Sequence, residues 1–143
     1  MAATRIVLDT NIWLDWLVFR DAGMSYIKLA VEENRAEIFI DDACEAELER
    51  VLAYEFGKHT IDAAQQAACL AECRRLARRI DAPAPQAECK LLPRCADLDD
   101  QKFLELALAA QAAFLITKDH KLLELARRTR QFRILVPKKL SFG

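Results

Sequence analysis

Arg5-Ile-Val-Leu-Asp-Thr-Asn-Ile-Trp13 is the stretch that decides the fold. Ile6, Val7 and Leu8 form a short, uninterrupted apolar run that ends at Asp9. Such a run predicts a strand buried on both faces, as in parallel sheets. In open α/β sheets a ligand sits beyond the carboxyl ends of the strands, so Asp9 is expected at the mouth of a crevice. Thr10 and Asn11 have short polar side chains that can cap the following helix. Taken alone, Asp9 reads equally well as a cap or turn residue.

Working outward, residues 12–19 have the spacing of a helix with Trp13, Trp16 and Leu17 on one face. Ser25 is expected to cap a second helix with an Ile27, Ala30, Val31 stripe. Ala36-Glu-Ile-Phe-Ile40 predicts a strand, and Asp41-Asp42 cap a helix over about 43–56. Gly57 and the segment around His59-Thr60 read as a turn. An Ala-rich helix is expected over 62–80, ended by Pro83 and Pro85. Residues 84–99 are the least regular, with an extended piece around Cys89–Leu92. A helix over 102–110, a strand over 113–117, a helix over 120–130 and a strand over 132–136 complete the pattern, and 137–143 form a tail. Alternating strands and helices over one stretch of 143 residues predict a single α/β domain with three layers and a mostly parallel sheet of four to five strands.

Hydrophobic content of 53% with 30% charged residues excludes a disordered or fibrous chain. The absence of a long apolar run and of a charged-then-apolar leader leads us to expect a soluble, cytoplasmic protein without a membrane span. The formal net charge of −1 gives no overall basic excess for a nucleic acid. The charges are unevenly spread, however. Residues 32–55 are acid-rich, whereas Arg74, Arg75, Arg78 and Arg79, and later Lys118, Lys121, Arg127, Arg128, Arg130 and Arg133, are locally basic. An acidic pocket with a basic rim is compatible with such a total. The five cysteines (Cys44, Cys69, Cys73, Cys89, Cys95) lack zinc-like spacing and are expected to be free and largely buried.

Acidic residues recur at comparable structural places. Asp9 follows one predicted strand, and Glu47 lies early in the helix after another. Asp97, Asp99 and Asp100 open the helix before the Phe114–Thr117 strand, and Asp119 follows that strand. If the strand ends are neighbours, these carboxylates converge on one pocket, where their repulsion calls for cations. An all-oxygen donor set suits Mg2+ or Mn2+ rather than zinc. Carboxylate-held magnesium that meets substrate phosphates is the arrangement of two-metal phosphodiester hydrolysis. Each acid also has a plainer reading as a helix cap, a dipole partner or a surface residue. Their joint placement is what favours a site.

Val7-Leu-Asp-Thr-Asn-Ile12, Ala46-Glu-Leu-Glu-Arg-Val-Leu52, Asp97-Leu-Asp-Asp-Gln-Lys-Phe-Leu-Glu105 and Ala113-Phe-Leu-Ile-Thr-Lys-Asp-His-Lys-Leu-Leu123 together resemble the PIN-domain family. The likeness is nearest to the toxin components of toxin–antitoxin pairs, and it covers nearly the whole chain in the right order. The resemblance implies an α/β/α sandwich and Mg2+- or Mn2+-dependent ribonuclease activity on single-stranded RNA. It also implies an antitoxin partner and a homodimer. By position, Asp9, Glu47, Asp100 and Asp119 match the family's four acids, with Asp99 the rival of Asp100. Asn11 and Thr117 match the polar residues that orient metal-bound waters or the acids. One departure stands out: Lys121 occupies a place where many members carry a further aspartate.

Rival functions are poorly supplied. Cleavage through the 2′-hydroxyl usually needs a histidine acid–base pair, and only His59 and His120 are present. A phosphatase of the haloacid dehalogenase type needs an aspartate two places after the first, where Asn11 stands. A catalytically weakened binding module of the same fold remains the alternative, because of Lys121. Lys118 and Lys121 flank Asp119 and are expected to meet RNA phosphates at the rim of the pocket. The four arginines over 74–79 offer a second basic surface, or a solvated helix face.

Overall fold

The computed structural model describes residues 2–54 and 60–142; the turn expected at Gly57 and His59 lies outside them. The described residues contain a five-stranded sheet with strands β1 (Thr4–Leu8), β2 (Ala36–Ile40), β3 (Ala77–Arg79), β4 (Phe114–Ile116) and β5 (Arg133–Leu135). Every pairing is parallel and the strand order is β3-β2-β1-β4-β5. The helices are α1 (Thr10–Leu17), α2 (Ser25–Glu32), α3 (Asp42–Leu52), α4 (Ala63–Leu76), α5 (Gln86–Cys89), α6 (Gln101–Ala109) and α7 (His120–Leu123). They complete the expected three-layer α/β/α sandwich.

β1 is the central strand, and Ile6, Val7 and Leu8 are almost wholly excluded from solvent. An uninterrupted apolar run is what a strand covered on both faces requires. α6 packs against β1, β2 and β4, and α1, α3 and α4 contact one another. Trp13, Phe103, Ile12 and Leu48 are among the largest fully buried side chains between these layers. The chain first builds outward from β1 to β2 and β3, then returns to add β4 and β5 on the other side. β1 and β4 therefore flank the point where the winding reverses, the place where such sheets take their ligands.

Three local expectations are corrected. The Ala-rich helix stops at Leu76, and Ala77 turns extended at φ −102°, ψ 144°. Arg78 and Arg79 then pair with Phe39 and Ile40, and the Ile80 N–H donates to the Ile40 carbonyl at 2.8 Å. Completing an otherwise open edge of β2 outweighs helix propensity there. The segment expected to be extended at Cys89–Leu92 instead follows the short helix α5, in which the Cys89 N–H donates to the Pro85 carbonyl at 3.0 Å. Pro85, at φ −58°, is already set for a helix start. The helix expected over 120–130 divides into α7 and a 3-10 turn at Ala126–Arg128, beside β5.

Candidate active site

The cap of α1 is Asp9, not Thr10 or Asn11. Its Oδ1 accepts from the Ile12 N–H at 2.9 Å. Its Oδ2 accepts from the Thr117 hydroxyl, which arrives from the end of β4. Leu8 pairs with Ile116, so the two strands deliver Asp9 and Thr117 side by side. Both are buried. Burial pushes the Asp9 carboxyl up to about 6, against the Thr117 and Ile12 hydrogen bonds, with Asp119 and Asp15 adding to the rise. The cap and site readings of Asp9 are thus compatible: one oxygen closes a helix while the residue faces other acids.

Asp119 caps α7 by accepting from the Lys121 N–H at 2.9 Å, and its own N–H donates to Thr117 Oγ1 at 2.9 Å. Asp100 shares a side-chain hydrogen bond with Asp119. Burial comes first among the causes that raise its carboxyl to about 7, followed by that bond and by Asp97, Asp119 and Glu47. Two negative charges so close oppose each other, and burial strengthens the opposition.

Glu47, on the second turn of α3, is mostly buried. It accepts from the Thr10 hydroxyl and from Lys102 Nζ at 2.6 Å, with Arg50 at 3.9 Å. Asp9, Glu47, Asp100 and Asp119 thus come within electrostatic reach of one another along a chain of neighbours. Of the adjacent aspartates, Asp99 is exposed, and its carbonyl accepts from Lys102 Nζ at 2.5 Å. Asp97 caps the 3-10 turn at Leu98–Asp100. Asn11 is exposed at the start of α1.

The fit of these acids to a metal can be judged from their chemistry. No group of three or more His, Cys, Asp or Glu side chains among the described residues is gathered closely enough to hold an ion as it stands. Asp100 instead lies against Asp119, which with burial raises its carboxyl, and Lys102 neutralises Glu47. Neighbouring carboxyls that oppose each other's charge are a place where a divalent cation serves as the counter-charge. The all-oxygen donors Asp9, Glu47, Asp100 and Asp119 fit a hard cation.

Of the basic residues, Lys118 Nζ lies 2.6 Å from Asp15 and 3.4 Å from Asp21, whereas Lys121 is exposed. The arginines over 74–79 are all ion-paired. Arg74 and Arg79 meet buried Glu45 at 3.1 and 2.8 Å, Arg78 meets Glu37 and Arg75 meets Glu72. Sequence reading missed Lys102 and Glu45. Lys102 carried one signal, its position two residues after Asp100 on the same helix start. Glu45 carried none, because, of its partners, Arg74 lies in the last turn of α4 and Arg79 on a strand that read as helix.

Fold and site define a doubly wound parallel α/β domain with neighbouring carboxylates at its switch point. A family model described as a PIN domain matches residues 5–121, and the chain belongs to that family. PIN domains are generally nucleases, which are hydrolases, and generally use divalent metal ions. No curated protein matches the chain significantly. Solved structures that share the fold include two of low sequence identity. The crystal structure of VapBC2 from Rickettsia felis bound to a DNA fragment from their promoter gives a TM-score of 0.62 at 19% identity, over 92% of this chain and 97% of that one. PAE2754 from Pyrobaculum aerophilum gives 0.55 at 16% identity, over 95% and 86%. Among the described residues no helix is long and apolar enough to cross a membrane.

Proposed function

We propose that this chain is a Mg2+- or Mn2+-dependent endoribonuclease that hydrolyses phosphodiester bonds of single-stranded RNA. We read it as one nuclease domain, 1–143, acting in the cytoplasm as the toxin of a toxin–antitoxin pair. The observation that carries the reading is the convergence of Asp9, Glu47, Asp100 and Asp119 at the switch point of a PIN domain. The choice of RNA rests on the family resemblance. An antitoxin partner is supported by the fold shared with VapBC2, and a homodimer by the resemblance alone.

Asp9 is the central ligand in this reading, with Glu47, Asp100 and Asp119 around it and Asp99 at the edge. The bound cation supplies a water activated at neutral pH and a counter-charge for the phosphate. Thr117 fixes the orientation of Asp9 and the backbone of Asp119. Asn11, exposed beside Asp9, orients water. Lys121 and Lys118 meet phosphates at the rim, Lys118 held there by Asp15 and Asp21. The products carry a 5′-phosphate and a 3′-hydroxyl, because water and not the 2′-hydroxyl attacks.

A fluorescent single-stranded RNA incubated with Mn2+ tests the proposal, with Asp9→Asn and Asp100→Asn as controls. Cleavage by the wild type alone supports it. Equal cleavage by the controls, or cleavage that survives chelation, overturns it. The second reading, a weakened binding module, is favoured by Lys121 at the place of a further aspartate and by Lys102 against Glu47. It predicts RNA binding without turnover.

A further inference from the structure

We propose that Lys102 is a substrate-positioning residue and that the cleft it shares with Lys90 and Arg94 carries the RNA strand on one side of the scissile phosphate. This rests on the nuclease reading above. The cleft, about 760 Å³, lies between the start of α3, residues 80–84, α5 and the start of α6. Lys102 belongs to two environments at once. Its ammonium meets Glu47 Oε1 at 2.6 Å and the Asp99 carbonyl at 2.5 Å, and the same residue lines the cleft. It is the shared wall between the acidic group and this cleft.

The charges along the cleft favour a phosphate-bearing occupant. On the α3 wall, Asp41 is occupied in capping the Cys44 N–H at 3.0 Å, and Asp42 is paired with Arg79 at 2.8 Å. Lys90 and Arg94 make no ion pair with any described residue, and both are exposed. Asp81 and Glu105 also line the cleft, which suits contacts to discrete phosphates rather than to a uniform basic track. A phosphate approaching four acids is repelled unless a cation receives it first. Lys102 stands where the cleft ends and those acids begin. Arg50 already lies near Glu47, so neutralising that carboxylate does not by itself explain why Lys102 faces the cleft.

Binding of a labelled single-stranded oligoribonucleotide to the full chain, followed by anisotropy in chelator over a salt series, reads this without turnover. The triple variant Lys90→Gln, Arg94→Gln, Lys102→Gln should bind about tenfold or more weakly at low salt and flatten the log–log salt slope by about two, at roughly 0.7 per phosphate contact. A charge-matched control, Arg35→Gln, Arg130→Gln, Arg133→Gln, changes residues beside the opposite ends of the strands. It should bind as the wild type does. Lys102→Arg should keep the slope, and with Mn2+ present Lys102→Gln should raise KM more than it lowers kcat. If the triple variant binds like the wild type, or no worse than the control, the cleft belongs to a protein partner or to none. The inference then falls while the nuclease reading stands. If Lys102→Gln lowers the melting temperature and leaves the salt slope alone, Lys102 is only a counter-ion for Glu47. A wild type that neither binds nor cleaves RNA overturns the nuclease reading as well.

Discussion

The Thr117 hydroxyl donates to Asp9 Oδ2 and accepts from the Asp119 N–H, so one side chain joins the ends of β1 and β4. This bridge spans the switch point of the sheet and holds two acids beside each other. Thr117→Val keeps the shape and deletes both bonds. We expect a stability loss of about 1–3 kcal/mol from the unsatisfied groups and an activity loss of about 10–100-fold, typical of a group that orients a metal ligand. Thr117→Ser should recover most of both. Thermal melts and RNA cleavage measure the two effects separately, and wild-type activity in Thr117→Val would remove the bridge from the mechanism.

The Asp9 carboxyl sits near 6 because burial disfavours its charge. Between about pH 4 and 6 the folded chain keeps a proton that the unfolded chain has released, so ν_N exceeds ν_U and stability falls as pH rises through that window. The rise from 3.8 to about 6 corresponds to about 3 kcal/mol at most. Asp100, near 7, extends the decline in the same direction. In chelator, Asp9→Asn should flatten the stability–pH curve and melt above the wild type at pH 7, and with Mn2+ added it should not cleave. A wild-type curve that is flat from pH 4 to 7 would count against burial as the controlling cause.

Divalent metal should reverse that penalty. At roughly a hundredfold excess over its dissociation constant, Mn2+ adds about 2.7 kcal/mol, or roughly 5–10 °C in melting temperature for a chain of this size. The double variant Asp9→Ala, Asp100→Ala should lose the shift. Calorimetric titration showing equal Mn2+ binding by both proteins would reject the carboxylates as its ligands.

Lys118→Gln together with Lys121→Gln should weaken RNA binding and flatten its salt dependence by up to about two charges. Lys118 also forms exposed pairs with Asp15 and Asp21. Such pairs are worth about 0.2–1 kcal/mol, so the melting temperature should barely move. Wild-type cleavage across the whole salt series would place the binding rim elsewhere.

All five cysteines are free in the structure. Burial raises the thiols of Cys44 and Cys73, the latter to about 12, and both are enclosed by the core. Alkylation of the native protein should therefore reach half-buried Cys69 and Cys89 first. Replacing those two by Ser should leave cleavage intact. Metal analysis finding one zinc per chain would contradict free thiols.

The sequence by itself determined the central strand, the alternation that makes a parallel sheet, and the acids that end its strands. Those features are local: an apolar run of Ile6, Val7 and Leu8 has nowhere to go but between two layers, and Asp9 follows it directly. The helix that continues as β3 was not legible, because Ala77–Arg79 carry helical propensity and only the open edge of β2 makes them a strand. The partners of the acids were also decided by the tertiary structure. Thr117 reaches Asp9 from 108 positions away and Lys102 reaches Glu47 from 55. Neither distance leaves a periodic trace in the chain, since strand order and helix placement set them. Residue type announced that there were acids to neutralise; packing chose a threonine and a lysine to meet two of them.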